Sequence, residues 1–437
     1  IVLPHEAKDR WAKIEKQLKK KVKTVAELST MMTEMHNGRK TFGNMALKRV
    51  LDGDPEEAKR FFSETLPFIQ SLVLKIPEAF KEQEIRILKI GKPGMQRLSC
   101  LQCACLNAAA VFQLLPRGKM CPQLSFTHIL QCQPQKVKCI LHYFHRRRTS
   151  VPDRYVEFYR NVLPKEKGVQ LLSAKTLLEN KTPLANFEIK GRPHVIEDAQ
   201  GCMQADFANE WIGGGVLHGG CVQEEILFVE KPECLVSLLF CNVMRDHESI
   251  TIVGAERFST HRGYARSFRW AGDFVDEQPV DSKKRLSNVI VAYDALCTPS
   301  NQFSEKNMLR EIVKTYVAVA LPDEITKGVK AGENDAKTSY KFDTFATGNW
   351  GCGAFGGDIP LKAMLQWIAC SIAGKHIRYF TFGDRNAAGL KETTECLQKA
   401  GVHVGWLWDK LQRHDPSRKH LFNLLQDSAA ALALPNT

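Results

Sequence analysis

No apolar run in this chain approaches the roughly eighteen residues that a membrane-spanning helix needs. The start, Ile1-Val2-Leu3-Pro4-His5, has no charged stretch leading to a cleavage site, so no secretory leader is expected, and a chain that begins without Met reads as a piece of a longer protein. No unit recurs at about 20 to 50 residues, which argues against a solenoid or propeller. Neither glycine-rich segment ends in Gly-Lys-Ser/Thr, so a Walker loop is excluded. Around those glycines there is no two-histidine-plus-carboxylate set and no cation loop, and neither a metal nor a cofactor is expected. The 14 cysteines are irregularly spaced in a long chain and do not form a small disulfide framework. They suit a reducing compartment, cytosol or nucleus. Cys100, Cys103 and Cys105, followed by Cys121, His128, Cys132, Cys139 and His142, raise the question of zinc. Structural zinc takes two short, turn-forming ligand pairs, whereas Cys103 and Cys105 face different sides of one helix, so core thiols are the expectation.

What the chain does have is bulk and positive charge. Its 437 residues with 44% hydrophobic content predict a well-buried globular protein of two or three domains. Lys and Arg number 61 against 48 Asp and Glu, a net charge of +13 that favours a polyanionic partner.

From Asp9 to about Leu130 the apolar residues recur at helical spacing, with Trp11, Ile14 and Leu18 and then Phe61, Leu66, Ile69 and Leu72. The clearest helix runs from about Arg97 to Leu115 and ends at Pro116. Val137 to Phe144 has strand-like content, and Arg146-Arg147-Arg148 follows as a solvated turn or part of a polyanion path. Beyond it strands and helices alternate, which predicts an α/β sheet. Strands are expected near Val169 to Leu172, Glu225 to Val229, Ser249 to Val253, Asn288 to Ala292 and Ile377 to Phe382. Helices are expected over Pro232 to Met244, over Glu305 to Leu321, and after Asp358, which is placed to cap the last of them.

Gly213-Gly214-Gly215 is separated by seven residues from Gln223-Glu224-Glu225. Glycines allow φ > 0 and let backbone N–H groups approach an anion, so this loop reads as a phosphate cradle beside two acids; the alternative is a flexible turn before a polar strand. Carboxylates repel phosphate. Two of them beside an anion loop suit protonation of a group next to the phosphate, or the holding of a hydroxyl, as a glycosidic carbon attached to a nucleotide would require. A second glycine segment, Gly348 to Gly357, opens a helix and contains Gly351-x-Gly353-x-x-Gly356, a literal dinucleotide fingerprint. The acid that should follow about twenty residues on is displaced, since Asp384 lies 28 beyond Gly356, and a nicotinamide enzyme is the weaker reading. Two such loops, the second feeding a helix N-terminus, could still grip a diphosphate.

Four ordered blocks carry a resemblance: Gln204-Ala205-Asp206-Phe207-Ala208-Asn209; the three glycines with Gln223-Glu224-Glu225; Gly263-Tyr264-Ala265; and Ala346 to Asp358 with Tyr379 to Asp384. With them the chain resembles the poly(ADP-ribose) glycohydrolase family. The resemblance implies an α/β, macrodomain-like mixed sheet flanked by helices over residues 134–437, preceded by an all-helical accessory domain over 1–133. It implies that Glu225 is the catalytic acid, that Glu224 holds ribose hydroxyls, and that Asp206 and Asn209 order the site and the distal ribose. Ile196, Glu197 and Gln223 match positions around the adenine or the catalytic loop, and Tyr264, Asn349, Phe355 and Phe382 match the substrate lining. The diphosphate would lie on Gly213, Gly214 and Gly215 and on the Gly351–Gly357 loop with Gly353, Ala354 and Gly356. The resemblance departs at His261, where vertebrate members carry tyrosine, and assigns no role to His218.

Glu224 and Glu225 are neighbours, so their side chains diverge and cannot face each other as the acid and nucleophile of a retaining glycosidase. One working acid, Glu225, would protonate the leaving ribose oxygen, an oxocarbenium-like ribose would form beside the diphosphate, and the same carboxylate would activate water. A macrodomain that only binds ADP-ribose or its polymer is the competing reading. The partners implied are poly(ADP-ribose) and poly(ADP-ribosyl)ated proteins, without sequence-specific nucleic-acid binding or a membrane, for a monomer of nucleus and cytoplasm in the DNA damage response.

Overall fold

A computed structural model describes residues 1–39, 43–297, 300–322, 325, 341–418 and 420–433. Its centre is an eight-stranded mixed sheet: β1 (Gly94–Ser99), β2 (Tyr155–Val162), β3 (Phe187–Lys190), β4 (Met203–Asp206), β5 (Glu248–Val253), β8 (Val289–Ala292), β9 (Thr344–Gly348) and β10 (His376–Phe380). The order is β1-β2-β5-β8-β4-β9-β10-β3. The five strands from β8 to β3 run parallel, while β5, β2 and β1 extend the sheet antiparallel. A separate hairpin pairs β6 (Ser259–Arg262) with β7 (Arg269–Asp273).

Alternation along the central strands divides the interior in two. Phe158, Ile250, Ile252, Ile290 and Ala292 face a core built with the N-terminal helices. Tyr159, Val253, Val289 and Val291 face the opposite core, made with the helices Glu305–Val319, Ile359–Ile372 and Val404–Gln412. Every residue of β5 and β8 is buried. The first core runs without a break from Leu3 to the sheet, so position 133/134 does not mark a gap in packing.

Several expected elements differ. Residues 94–99, inside the stretch read as helical, form an edge strand, and the helix after it is the shorter Cys100–Val111, capped by Ser99. Val137 to Phe144 is not a strand but lies inside the helix Pro134–Thr149, with Pro134 in its first turn and Arg146 to Arg148 in its last. Val137, Ile140, Leu141 and Phe144 share its buried side, and the terminal arginines suit the negative helix end. Val169 to Leu172 belongs to the helix Lys165–Leu172. Glu225 to Val229 lies in the helix Gln223–Glu230, in which all eight residues are buried and no amphipathic period exists to be read. The helix expected over Pro232 to Met244 is a 3-10 turn, Pro232–Val236, and one turn of α-helix, Ser237–Phe240, which stops where Cys241 bridges to Leu88. The helix Ile359–Ile372 begins as expected, with the Asp358 carboxylate accepting from the Leu361 N–H at 2.8 Å.

Candidate active site

Three adjacent parallel strands, β4, β9 and β10, end at Asp206, Gly348 and Phe380, and the segments that follow them carry most of the sequence-derived candidates. This is where open α/β sheets present ligands, in the crevice beyond the carboxyl ends of the strands. The chain leaving β4 turns through the three glycines and enters the helix Gln223–Glu230, whose first turn carries both acids.

Those acids are gripped by main chain. The Glu224 carboxylate accepts from the N–H of Gly213 at 2.6 Å and of Asn209 at 2.9 Å. The Glu225 carboxylate accepts from the N–H of Gly215 and of Val222, each at 2.8 Å. The N–H of Gly214 donates to the Trp211 carbonyl at 3.0 Å. The amides of Gly213, Gly214 and Gly215 are therefore all committed, and the expected cradle for substrate phosphate is a cradle for the two acids. A β-carbon at Gly214, whose φ is +48°, would lie 2.6 Å from one Glu224 oxygen and 2.7 Å from a Glu225 oxygen. One at Gly220 would also meet Glu225 at 2.7 Å. Glycine is needed at both positions because the carboxylates come so close.

Gln223 ties this turn to the sheet and to a third acid. Its carbonyl accepts from the Phe207 N–H at 2.9 Å, and its amide donates to Glu197 at 2.9 Å and to the Ala205 carbonyl at 3.1 Å. The phenolic oxygen of the exposed Tyr264 accepts from the Gln223 N–H at 3.2 Å. Asp206 is wholly buried, and among the described residues neither of its carboxyl oxygens has a hydrogen-bond partner. Burial, with the charges of Glu225 and Glu197, raises the Asp206 carboxyl well above its ordinary value. Burial and the Asp206 charge do the same to Glu224, and burial raises Glu197. Each of the three carboxyls is thus shifted toward its neutral form. Asp206 thus acts on the site as a buried neighbour of the acids, without a surface of its own for substrate.

The second glycine loop has what the first lacks. Among the described residues the N–H groups of Gly353, Ala354 and Phe355 meet no protein acceptor, while Gly356 and Gly357 close the turn on the carbonyls of Gly353 and Gly351. Three consecutive free amides thus stand ahead of the helix Ile359–Ile372, the kind of backbone donors that an anion can take. Beneath them Lys362 pairs with Glu311 and lies 4.3 Å over the Trp350 ring.

Other candidates serve as supports. The Asn349 side chain donates to the Thr381 carbonyl at 3.1 Å and accepts from the Tyr379 hydroxyl at 3.0 Å, so it ties the β9 loop to the β10 loop. Ile196 is fully buried with Ala199, Cys202, Ala346 and Phe380, and Phe207 and Phe382 pack against this cluster; it shapes the floor of the site. Phe382 holds a φ of +53°, a conformation costly for a bulky residue and more frequent at functional sites. Phe355 is half-buried against the second core. His218 is exposed, with its ring edge-on to His128 at 4.8 Å, and His261 contacts Glu230 at 2.7 Å. Sequence reasoning missed Lys136. This buried lysine donates to the carbonyls of Val216 at 2.7 Å and His218 at 2.8 Å, fastening the acid-bearing turn to the helix Pro134–Thr149. Its only signal was a charge on an otherwise apolar helix face.

Comparison with known proteins agrees with this architecture. Residues 174–389 match the family described as poly (ADP-ribose) glycohydrolase, macro domain fold, and residues 53–160 match the helical domain of the same family. The chain is 32% identical to poly(ADP-ribose) glycohydrolase 1 of Arabidopsis thaliana over 84% of its own length and 80% of the relative's. It is 31% identical to poly(ADP-ribose) glycohydrolase 2 of Caenorhabditis elegans, over 86% and 80%. An N-terminal helical part and a macrodomain sheet agree with both matches: the chain belongs to the poly(ADP-ribose) glycohydrolase family.

Proposed function

We propose that this glycohydrolase cleaves the ribose–ribose bond of poly(ADP-ribose) with Glu225 as its one working acid. The observation that carries the reading is the clamp on Glu225: two backbone N–H groups fix both carboxylate oxygens at the start of a buried helix, so the group is positioned before substrate arrives. Glu225 gives its proton to the leaving ribose oxygen as the C1″–O bond breaks. The resulting oxocarbenium-like ribose is stabilised by the adjacent diphosphate, which rests on the free amides of Gly353, Ala354 and Phe355. Water then adds to C1″, its proton passes to Glu225, and ADP-ribose leaves with the enzyme restored. Glu224 meets the ribose hydroxyls. Fourteen free thiols suit a reducing compartment, nucleus or cytoplasm.

The test is Glu225→Gln on purified poly(ADP-ribose), with released ADP-ribose and bound polymer measured together. Removing a positioned general acid should lower kcat by about 10²- to 10⁴-fold with binding retained. Normal turnover by the variant would sink the assignment. Binding without cleavage by the wild type would favour a macrodomain that only reads the polymer.

A further inference from the structure

A groove of about 980 Å³ lies beside the catalytic turn, between the N-terminal helices and the β6–β7 hairpin. Its size is that of a ligand cleft, which runs to roughly 1,000 Å³. One wall is Gly219 to Val222, the stretch whose last amide holds Glu225. Beside it lies Ala265 to Trp270, fastened to that stretch where the Ala265 N–H donates to the Cys221 carbonyl at 2.8 Å. None of the free-amide loop, Glu197 or Phe382 lines it, so it is separate from the place assigned above to the released ADP-ribose.

The groove is cationic beyond what its own acids neutralise. Arg49, Lys138 and Arg266 have no carboxylate partner among the described residues, and Arg269 donates only to the carbonyls of Arg266 and Phe268. Of the lining acids, Glu57 pairs with Arg60 and contacts His145, and Asp54 is used as a helix cap. Three separate elements, the helices Met45–Asp52 and Pro134–Thr149 and the start of β7, thus point unpaired cations at one space. Trp270, half-buried with its indole N–H held by Ser259, adds an aromatic face.

Resting on the glycohydrolase reading, we infer that this groove binds the polymer remaining on the leaving side of the scissile bond. Each unit of that remainder carries a diphosphate and an adenine, which suit the unpaired cations and Trp270 respectively. The groove thereby holds the chain that stays behind, while the second glycine loop holds the unit being released.

The experiment compares wild type with Arg49→Glu/Lys138→Glu on two substrates: long poly(ADP-ribose), and ADP-ribose bearing an aryl leaving group at C1″, which has nothing to place in the groove. KM for polymer should rise about tenfold at low salt, and the slope of log KM against log salt should flatten by about 1.4, from two lost phosphate contacts at roughly 0.7 each. The aryl substrate should be turned over as before. Unchanged polymer kinetics would overturn the inference, and so would an equal loss on both substrates, which places the effect in the cleft. Lost affinity for single-stranded RNA with unchanged polymer kinetics would overturn it in favour of a nucleic-acid site. Arg266→Gln/Arg269→Gln, in the stretch Ala265 to Trp270, should repeat the pattern and serves if the first variant fails to fold. Failure of the wild type itself to cut polymer would refute the glycohydrolase reading, independently of the groove.

Discussion

Gly214→Ala should separate the two jobs a glycine can do here. The new β-carbon would sit 2.6 Å and 2.7 Å from oxygens of Glu224 and Glu225, so at least one carboxylate must move off its amides. Leaving one buried polar group unsatisfied costs about 1–3 kcal/mol. The φ of +48° adds about 1 kcal/mol for any residue with a β-carbon, giving about 2–4 kcal/mol in all. Gly374→Ala is the control: its φ is +66° and nothing lies within 4 Å, so it carries only the backbone part, about 1 kcal/mol. Both variants should melt earlier by thermal unfolding, Gly214→Ala by the larger interval. Only Gly214→Ala should lose turnover, by about 10²-fold for a displacement near 1 Å at the acid. Wild-type kcat in Gly214→Ala, measured as ADP-ribose released under saturating polymer, would refute the claim that the glycine exists to admit the carboxylates.

Asp206→Asn addresses the buried acids through pH. Because the folded state holds the Asp206 proton well above its ordinary value, it binds more protons than the unfolded chain from about pH 4 upward, and stability is lost as pH rises toward the folded value. Asn removes that slope, so the melting-temperature curves of wild type and variant, recorded from pH 4 to 8, should converge or cross with rising pH; parallel curves would contradict a raised Asp206. Lys136→Met should cost about 2–4 kcal/mol by leaving two loop carbonyls unsatisfied, and should lower kcat more than it changes KM because it loosens the turn under Glu225. An unchanged kcat with lowered stability would make Lys136 a fold residue alone.

The sequence was readable where a physical signal stays local. β5 and β8 are rich in Ile and Val, and Asp358 caps a helix with a sustained apolar face, so each could be placed within a residue or two at one end or both. The helix Gln223–Glu230 could not be placed, because burial on every side erases the period that separates helix from strand. The two glycine loops illustrate the same limit at the site. Both have the composition of an anion cradle, but in the first the amides are claimed by carboxylates that return from ten and eleven residues downstream, and in the second the amides of Gly353 to Phe355 stay free. That difference is one of tertiary contact, which glycine content does not encode. Asn349 was legible as part of a motif, while its internal partners on the β10 side, Tyr379 and Thr381, emerge only when β9 and β10 are neighbours.

The main-chain grip on Glu224 and Glu225 has a consequence for how freely this turn can change. Every residue type except proline supplies a peptide N–H, so at Asn209 and Val222 the grip on the acids does not depend on the side chain that carries the amide. What must be kept is room, at Gly213, Gly214 and Gly220, and the apolar anchors Val216 and Leu217, which are sunk in the core. The exposed position His218, which does not line the groove, is left open to substitution. It is a point beside the chemistry where a label or a new recognition residue could be introduced without touching the acid.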